Sequence, residues 1–262
     1  MIVTNLKLFS NVTHYRITFV CFCIASILQL LTYQLLTLAK LGSSAVCFAF
    51  AQTIVVLLVA PYLAALSVNV DKQSIYNSHL LLLSPTHIGK SLLVRLVSSQ
   101  VALMCWIVLS TGLSLFVTNL PVIKAVKMIV LLGLCSVSAG AIGMWWTQTL
   151  KDVIFGSVCT YFIYGIFVVS AFLLMPIERY VDNLQPMIQP VLHLNPLIAV
   201  CNIFEGLDIF RIPLLYKITP ITFYDYSYPL WYIILIWQLV IGISCYLLTW
   251  GMCRSLNIST IY

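Results

Sequence analysis

Six long runs of apolar residues constrain the fold of this chain more than any other feature. They cover residues 17–39, 45–67, 92–118, 122–146, 153–175 and 230–253. Each run supplies the roughly 20 apolar residues that a helix needs to cross a hydrocarbon layer about 30 Å thick. None shows the alternation of apolar and polar residues that is typical of membrane β-barrel strands. The runs therefore predict an all-α polytopic membrane protein with six transmembrane helices.

Composition supports this class, because 62% of the residues are hydrophobic and only 8% are charged. A soluble domain carries about 25% charged residues. Residues 5–16 combine basic and apolar side chains and predict a short interfacial helix before the first span. The first span is too long for a signal peptide and is expected to be retained. No repeat or low-complexity linker divides the chain, so residues 1–262 are treated as one transmembrane domain.

The distribution of basic residues places both termini in the cytoplasm, since cytoplasmic segments of membrane proteins are enriched in Lys and Arg. The inner segments then hold only Asp71 and Asp152 as acids, and their basic residues are Lys7, Arg16, Lys72, Lys90, Arg95, Lys151 and Arg254. The outer basic residues are spread over longer connections. The net charge of +6 is mostly this inner-face bias, and no nucleic-acid partner is predicted.

The connection at residues 176–229 is too long for a bare loop in a compact protein. Its apolar runs at 191–204 and 209–216 are too short to span a membrane. They predict re-entrant or interfacial helices before the last span. Aromatic residues near its end, including Tyr226 and Tyr228, fit an interfacial belt better than a ligand cage.

The interiors of the spans lack Asp, Glu, His and Arg near their centres, which disfavours an ion-coupled carrier. The glutamines within the spans suit hydrogen bonding between helices, with neutral lining of a path as the alternative; they are Gln29, Gln34, Gln52 and Gln100. Small residues at positions such as Ala139 and Gly143 predict close helix packing. Eight of the nine cysteines lie in spans, where packing is the preferred role, and no metal site is predicted.

Motifs for catalysis are absent from the sequence. There is no H-E-x-x-H, no G-x-S-x-G and no G-x-x-x-x-G-K-[ST] phosphate loop. The chain is therefore not expected to be an enzyme or to hold a cofactor. Any work derived from ATP must come from a separate subunit.

The segment at residues 71–95, DKQSIYNSHLLLLSPTHIGKSLLVR, is a short amphipathic insert between two spans. Pro85 ends the run of leucines, and a new helix is expected to begin near Thr86 or His87, because proline suits the first turn of a helix. The insert resembles the cytoplasmic connector of ABC-2 type transporter permeases, G-T-L-E-L-L-L-x-x-P followed by G-K. The stretch His193-Leu194-Asn195-Pro196-Leu197 resembles an L-N-P-L segment of the same family.

The resemblance covers the whole chain and implies that residues 71–95 contact an ATPase subunit as a coupling helix. In this sequence Tyr76-Asn77 replaces the family's Gly-Thr, and His79 replaces its glutamate. The residues that this implication assigns to coupling are Asp71, His79, Leu82, Pro85, His87, Lys90, Arg95, Lys151 and Asp152. A solvated polar role for His79 and contact of Arg95 with lipid headgroups are the alternatives.

The resemblance further implies a permease subunit of an ABC exporter, with a second permease copy, an ATPase that binds ATP and Mg, and membrane lipids as partners. A bacterial inner membrane is the expected location. Spans one, two and five are expected to line the path of an amphipathic or hydrophobic substrate, with the candidate residues Gln29, Tyr33, Gln52, Tyr161 and Tyr164. The rival hypotheses are a membrane scaffold or assembly subunit without transport and an ion-coupled carrier.

Overall fold

The computed structural model describes residues 2–75, 85–178, 180–181, 183–204, 208–212, 216 and 219–259, with side chains described from residue 19 to 68 and from 89 to 254 within those ranges. These described residues form eight α-helices and no β-strand. The helices are α1 (Ile2–Leu38), α2 (Ser44–Ile75), α3 (Pro85–Val117), α4 (Val122–Leu150), α5 (Val153–Ile177), α6 (Gln185–Leu194), α7 (Pro196–Ile203) and α8 (Trp231–Ser259).

Six of these helices are long and apolar enough to cross a membrane. The candidate spans are Phe19–Leu38, Ser44–Val68, Gly89–Val117, Val122–Leu150, Val153–Ile177 and Trp231–Arg254. The prediction of an all-α polytopic membrane protein is therefore confirmed. Residues 5–16, predicted as a separate interfacial helix, instead continue into the first span as one helix, α1. No glycine or proline interrupts the sequence before Gly42, so nothing there forces the helix to break.

Helices α2 and α4 form the centre of the bundle, and α1 and α5 lie at its edge. In the most apolar window of each span, 67% of the residues are buried in α2 and 61% in α4, against 17% in α1 and 22% in α5. Close packing at the centre depends on a glycine: a Cβ atom added to Gly143 of α4 would lie 2.7 Å from the carbonyl oxygen of Pro61 in α2. The small residues of the fourth span thus allow the close approach that their spacing predicts.

The end of α2 and the start of α3 lie at the same end of the bundle, which is called the α2–α3 end. The Tyr246 hydroxyl of α8 donates to the carbonyl of Gly89 at the start of α3, at 2.9 Å. Near the end of α4, the Thr149 hydroxyl lies 3.7 Å from the sulfur of Met252 in α8. The short turn from α4 to α5 lies at the same end. Since consecutive spans alternate in direction, α1 also enters its span from this end.

The opposite end carries the short helices that precede α8, as the sequence predicts. Helices α6 and α7 have 10 and 8 residues, well below the roughly 20 that a span requires. Asn195 between them caps α7 by accepting from the Leu197 amide at 3.0 Å, and its side-chain nitrogen donates to the Val168 carbonyl of α5. Asn202 accepts from the amide of Trp231 at 3.0 Å, where α8 begins. These bonds fasten both helices to the bundle.

Candidate functional site

A groove with a volume of about 720 Å³ lies between α1, α2 and α5. Helix α2 supplies half of its lining and packs against both of the other helices. The lining residues are Val20, Cys21, Ile24 and Leu28 of α1, Leu58, Val59, Tyr62, Leu63 and Leu66 of α2, and Tyr161 of α5. Spans one, two and five are those that the sequence predicts for a substrate path.

The lining of this groove is hydrocarbon with two polar points. Seven of the ten residues are aliphatic, none is charged, and the only side-chain oxygens are the hydroxyls of Tyr62 and Tyr161. Small-molecule sites in proteins typically combine a mostly apolar wall of this size with a few polar groups. The groove can therefore accept an apolar group and offers no charge to pair with an ionic one.

The length and position of the groove follow from its helical spacing. Val20, Ile24 and Leu28 recur every four residues on one face of α1, and Leu58 and Leu66 bound a matching stripe on α2. Eight residues of helix rise about 12 Å. Val20 is the fourth residue of the apolar run 17–39, and Leu66 lies one residue before the run 45–67 ends. The groove thus runs from the α2–α3 end of the bundle to about the middle of the spans.

The backbone of α2 has a weak point beside the groove. Pro61 has no N–H, so the carbonyl of Leu57 loses its bond within the helix. Neighbouring helices bond two carbonyls between Leu57 and Pro61. The Tyr161 hydroxyl of α5 donates to the Leu58 carbonyl at 2.7 Å, and the Gln100 side chain of α3 donates to the Ala60 carbonyl at 3.1 Å. These bonds hold α2 where its own ladder is interrupted.

Of the five residues predicted to line a substrate path, only Tyr161 lies in the groove. Tyr33 packs edge-on against Phe48 of α2, with 6.1 Å between ring centroids. Gln29 is buried in α1, and its side-chain nitrogen has no hydrogen-bond partner among the described residues. Neither residue forms part of the groove wall.

The other two predicted path residues are bound inside the bundle. The Gln52 side-chain nitrogen donates to the hydroxyls of Ser110 and Thr111 on α3, the latter at 2.8 Å. The Tyr164 hydroxyl donates to the side-chain oxygen of Gln238 in α8 at 3.2 Å. Both side chains are almost completely buried. Both residues join helices to one another. For Gln52, this is the role that the sequence favours for glutamines within the spans.

Gln238 is a buried junction that sequence inspection missed. Its side-chain oxygen accepts from Tyr164, and its side-chain nitrogen donates to the Leu194 carbonyl at the end of α6, at 3.1 Å. Its backbone carbonyl accepts from the Ser138 hydroxyl of α4 at 2.6 Å. One residue therefore links α4, α5, α6 and α8. The sequence signal for this junction is the position of Gln238, a polar residue within the last apolar run.

The residues assigned to ATPase coupling gather at the α2–α3 end, as far as the structure describes them. His79 and Leu82 lie outside the described residues. Asp71 belongs to the last turns of α2, and Pro85 is the first residue and His87 the third of α3; the side chains of these three are likewise outside the described part. Lys90 is exposed, Arg95 is half-buried, and Lys151 and Asp152 form the turn between α4 and α5.

The turn at Lys151 and Asp152 has a local structural role that the sequence analysis did not assign. Lys151 adopts a left-handed backbone with φ of 57° and ends α4. The Asp152 carboxylate accepts from the Phe155 amide at 2.9 Å and caps the start of α5. Such a cap contributes about 1 kcal/mol to helix stability. An aspartate directly before an apolar run is the sequence signal for it.

A second missed feature is a clasp at the opposite end, formed by Asp208, Arg211, Tyr226 and Tyr228. One carboxylate oxygen of Asp208 accepts from both tyrosine hydroxyls, each at 2.7 Å. The other carboxylate oxygen pairs with the Arg211 guanidinium at 3.1 Å. Burial, followed by the bond to Asp208, raises the pKa of Tyr226 and that of Tyr228. Both tyrosines therefore act as hydrogen-bond donors to Asp208.

Comparison with known proteins adds no relative to these observations: the chain matches no protein-family model, no curated protein and no solved structure. The groove between α1, α2 and α5 and the polar residues at the α2–α3 end are the features from which a function can be argued.

Proposed function

We propose that this chain is the membrane-spanning permease subunit of an ATP-driven exporter of the ABC-2 type. It moves an amphipathic or hydrophobic substrate and is coupled to a separate ATPase subunit through residues 71–95. ATP and Mg bind to that partner, and catalysis takes place there. The similarity of residues 71–95 and 193–197 to the family's connector and L-N-P-L segments motivates this proposal, which places the protein in a bacterial inner membrane with both termini in the cytoplasm.

The observation that carries the proposal is the path of α2. This helix forms half of the groove wall and continues without interruption to Ile75, beside the proposed coupling segment. A movement of that segment therefore acts on the groove, because both belong to the same helix. Pro61 supplies the point at which such a movement can change the angle between the two parts of the helix.

The exposure of α1 and α5 supports a second permease copy. These spans are the least buried of the six, and large apolar side chains such as Leu31, Leu35 and Phe162 are exposed on them. In the assembly that we propose, α1 and α5 of two copies face one another. The substrate then passes between the copies along the surface that includes the groove.

The experiment that tests this function is co-purification from the native membrane, followed by identification of proteins that bind in stoichiometric amounts. The test variant is His79→Ala with Pro85→Ala. The matched control is His193→Ala with Pro176→Ala, which changes the same residue types at the opposite end of the bundle. We expect an ATPase with Walker motifs to co-purify with the wild type and the control and to be lost in the test variant.

The alternative function is a scaffold or assembly subunit without transport. Absence of an ATPase from every sample would contradict the exporter and favour that alternative. Retention of the ATPase by the test variant would keep the exporter and move the coupling contact away from residues 71–95.

A further inference from the structure

The groove between α1, α2 and α5 has the length of one membrane leaflet. Its wall rises about 12 Å along α1 from Val20 to Leu28. The hydrocarbon core of a bilayer is about 30 Å thick, so one leaflet contributes roughly half of that. A transmembrane helix of a partner would need contact along the full thickness. The groove is too short for that occupant and matches the depth of a single lipid chain.

The groove also lies in a defined leaflet. Among the described residues, Val20 and Leu66 are the lining residues nearest to the α2–α3 end of the bundle, and Leu28 and Leu58 mark its inner limit near the middle of the spans. At that inner limit, Tyr161 crosses from α5 to bond the Leu58 carbonyl. A chain that entered from the α2–α3 end would therefore finish close to the middle of the bilayer, as an acyl chain does.

The chemistry of the lining fits the same occupant. The two tyrosine hydroxyls are the only side-chain oxygens among the described residues of the wall, and the hydroxyl of Tyr161 is already bonded to the backbone of α2. A charged group placed there would lose its hydration and would find no opposite charge among these residues. A hydrocarbon chain carries no such cost and gains contact with seven aliphatic side chains.

We propose that the groove between α1, α2 and α5 binds one acyl chain of a membrane phospholipid from the leaflet at the α2–α3 end. The headgroup stays at that end, outside the groove, and the chain ends beneath Leu28 and Leu58. Lipid binding requires only the groove. The further statement that this lipid is the exporter's cargo rests on the proposed function.

The test uses the full-length protein in nanodiscs that contain a phosphatidylethanolamine with a diazirine near the end of one acyl chain. After illumination, mass spectrometry locates the labelled residues. We expect labelling of residues 20–28 and 58–66 to exceed that of the exposed face of α8 by about tenfold, which corresponds to about 1.4 kcal/mol of preference.

A matched pair of variants separates the groove from general contact with lipid. Ile24 in the groove and Ile236 on α8 are 49% and 54% exposed. Ile24→Trp fills the groove and should reduce labelling of residues 58–66 about tenfold, whereas Ile236→Trp should leave it unchanged. If Ile24→Trp does not give a monodisperse protein, Val20→Trp, at a 53% exposed position, replaces it.

Equal labelling of all exposed helix faces, or equal effects of the two tryptophan variants, would overturn the proposal. Oxidative cross-linking of two copies through Cys21 of the groove, together with no acyl-chain labelling of residues 20–28 and 58–66, would also overturn it, because a protein segment would then fill the groove. The result is independent of the ATPase experiment. Selective labelling without an ATPase would keep the lipid site and reject the exporter, and an ATPase without selective labelling would do the reverse.

Discussion

The hydroxyl of Tyr161 in α5 donates a hydrogen bond of 2.7 Å to the main-chain carbonyl of Leu58 in α2. This bond lies three residues before Pro61, where α2 lacks one bond of its own ladder. It fixes the distance between α5 and α2, two walls of the groove, close to the point where the backbone of α2 is weakest. Together with the bond from Gln100 to the Ala60 carbonyl, it holds this part of α2 from outside the helix.

Removing this hydroxyl with Tyr161→Phe should loosen α2 around Pro61. A hydrogen bond of this kind contributes about 0.5–1.5 kcal/mol, so amide hydrogen exchange in residues 57–66 should rise by roughly 2- to 12-fold. Tyr62→Phe is the control, because Tyr62 lines the same groove and its hydroxyl bonds to no other described residue. Equal exchange in the two variants would show that the Tyr161 bond does not hold α2.

Gly143 should tolerate no side chain, because a Cβ atom there would lie 2.7 Å from the Pro61 carbonyl oxygen. We expect Gly143→Ala to lower stability by about 1–3 kcal/mol, the usual cost of overpacking. The measurement is thermal unfolding of the purified protein in detergent. Gly165→Ala is the matched control, since a Cβ atom added to Gly165 would meet no atom within 4 Å. The stability of this variant should equal or exceed that of the wild type.

Gln52→Leu should destabilise the contact between α2 and α3. The substitution removes the bonds to Ser110 and Thr111 and leaves both hydroxyls without that donor. Polar contacts between membrane helices contribute about 0.6–1.7 kcal/mol, and a loss in that range should appear in the same unfolding assay. Gln34→Leu, at an exposed position of α1, should have no measurable effect. A similar loss in both variants would argue against a specific role for Gln52.

The clasp at Asp208 should weaken at alkaline pH. Burial and the bond to Asp208 raise the pKa of Tyr226 and that of Tyr228 in the folded protein. The native state therefore keeps two hydroxyl protons that the unfolded state loses above about pH 10. The stabilisation is therefore fully present below that pH and declines as the pH rises beyond it. Arg211 and buried Cys201 are the other titratable groups that act on these tyrosines.

Spectrophotometric titration of tyrosinate tests the clasp directly. Asp208→Asn removes the carboxylate that disfavours ionisation, so two of the 14 tyrosines should titrate at lower pH than in the wild type. Burial remains in the variant, and the return towards the ordinary pKa should be partial. Asp225→Asn is the control, because within the described residues Asp225 is bonded only through its backbone carbonyl, to Gln185. Identical titration curves for Asp208→Asn and the wild type would refute the clasp.

Sequence reasoning was most reliable for features that depend on short segments. The close packing of α4 against α2 follows from small residues such as Gly143, because helix spacing alone places them on one face. Asp152 was interpreted through the family resemblance as an ATPase contact, although an acid before an apolar run is also a local capping signal. The structure shows the cap, and the contact remains a prediction.

Sequence reasoning was weakest for features that depend on which helices meet. Gln29, Tyr33, Gln52 and Tyr164 share spans with the groove but do not line it. Within an apolar span, every face looks alike in sequence, because lipid and the protein interior are equally apolar. The direction of each side chain is decided by the rotation of its helix in the bundle, which no local pattern records.

The sequence by itself determined that this protein is a bundle of six membrane-spanning helices with short helices before the last one. Apolar length alone decides this, because backbone polar groups in a bilayer must be satisfied within each helix. Only the tertiary structure decided that α2 and α4 occupy the centre, that Tyr161 holds α2 beside Pro61, and that Asp208 joins Tyr226 to Tyr228. These features require residues far apart in the chain to meet, and packing between helices alone brings them together.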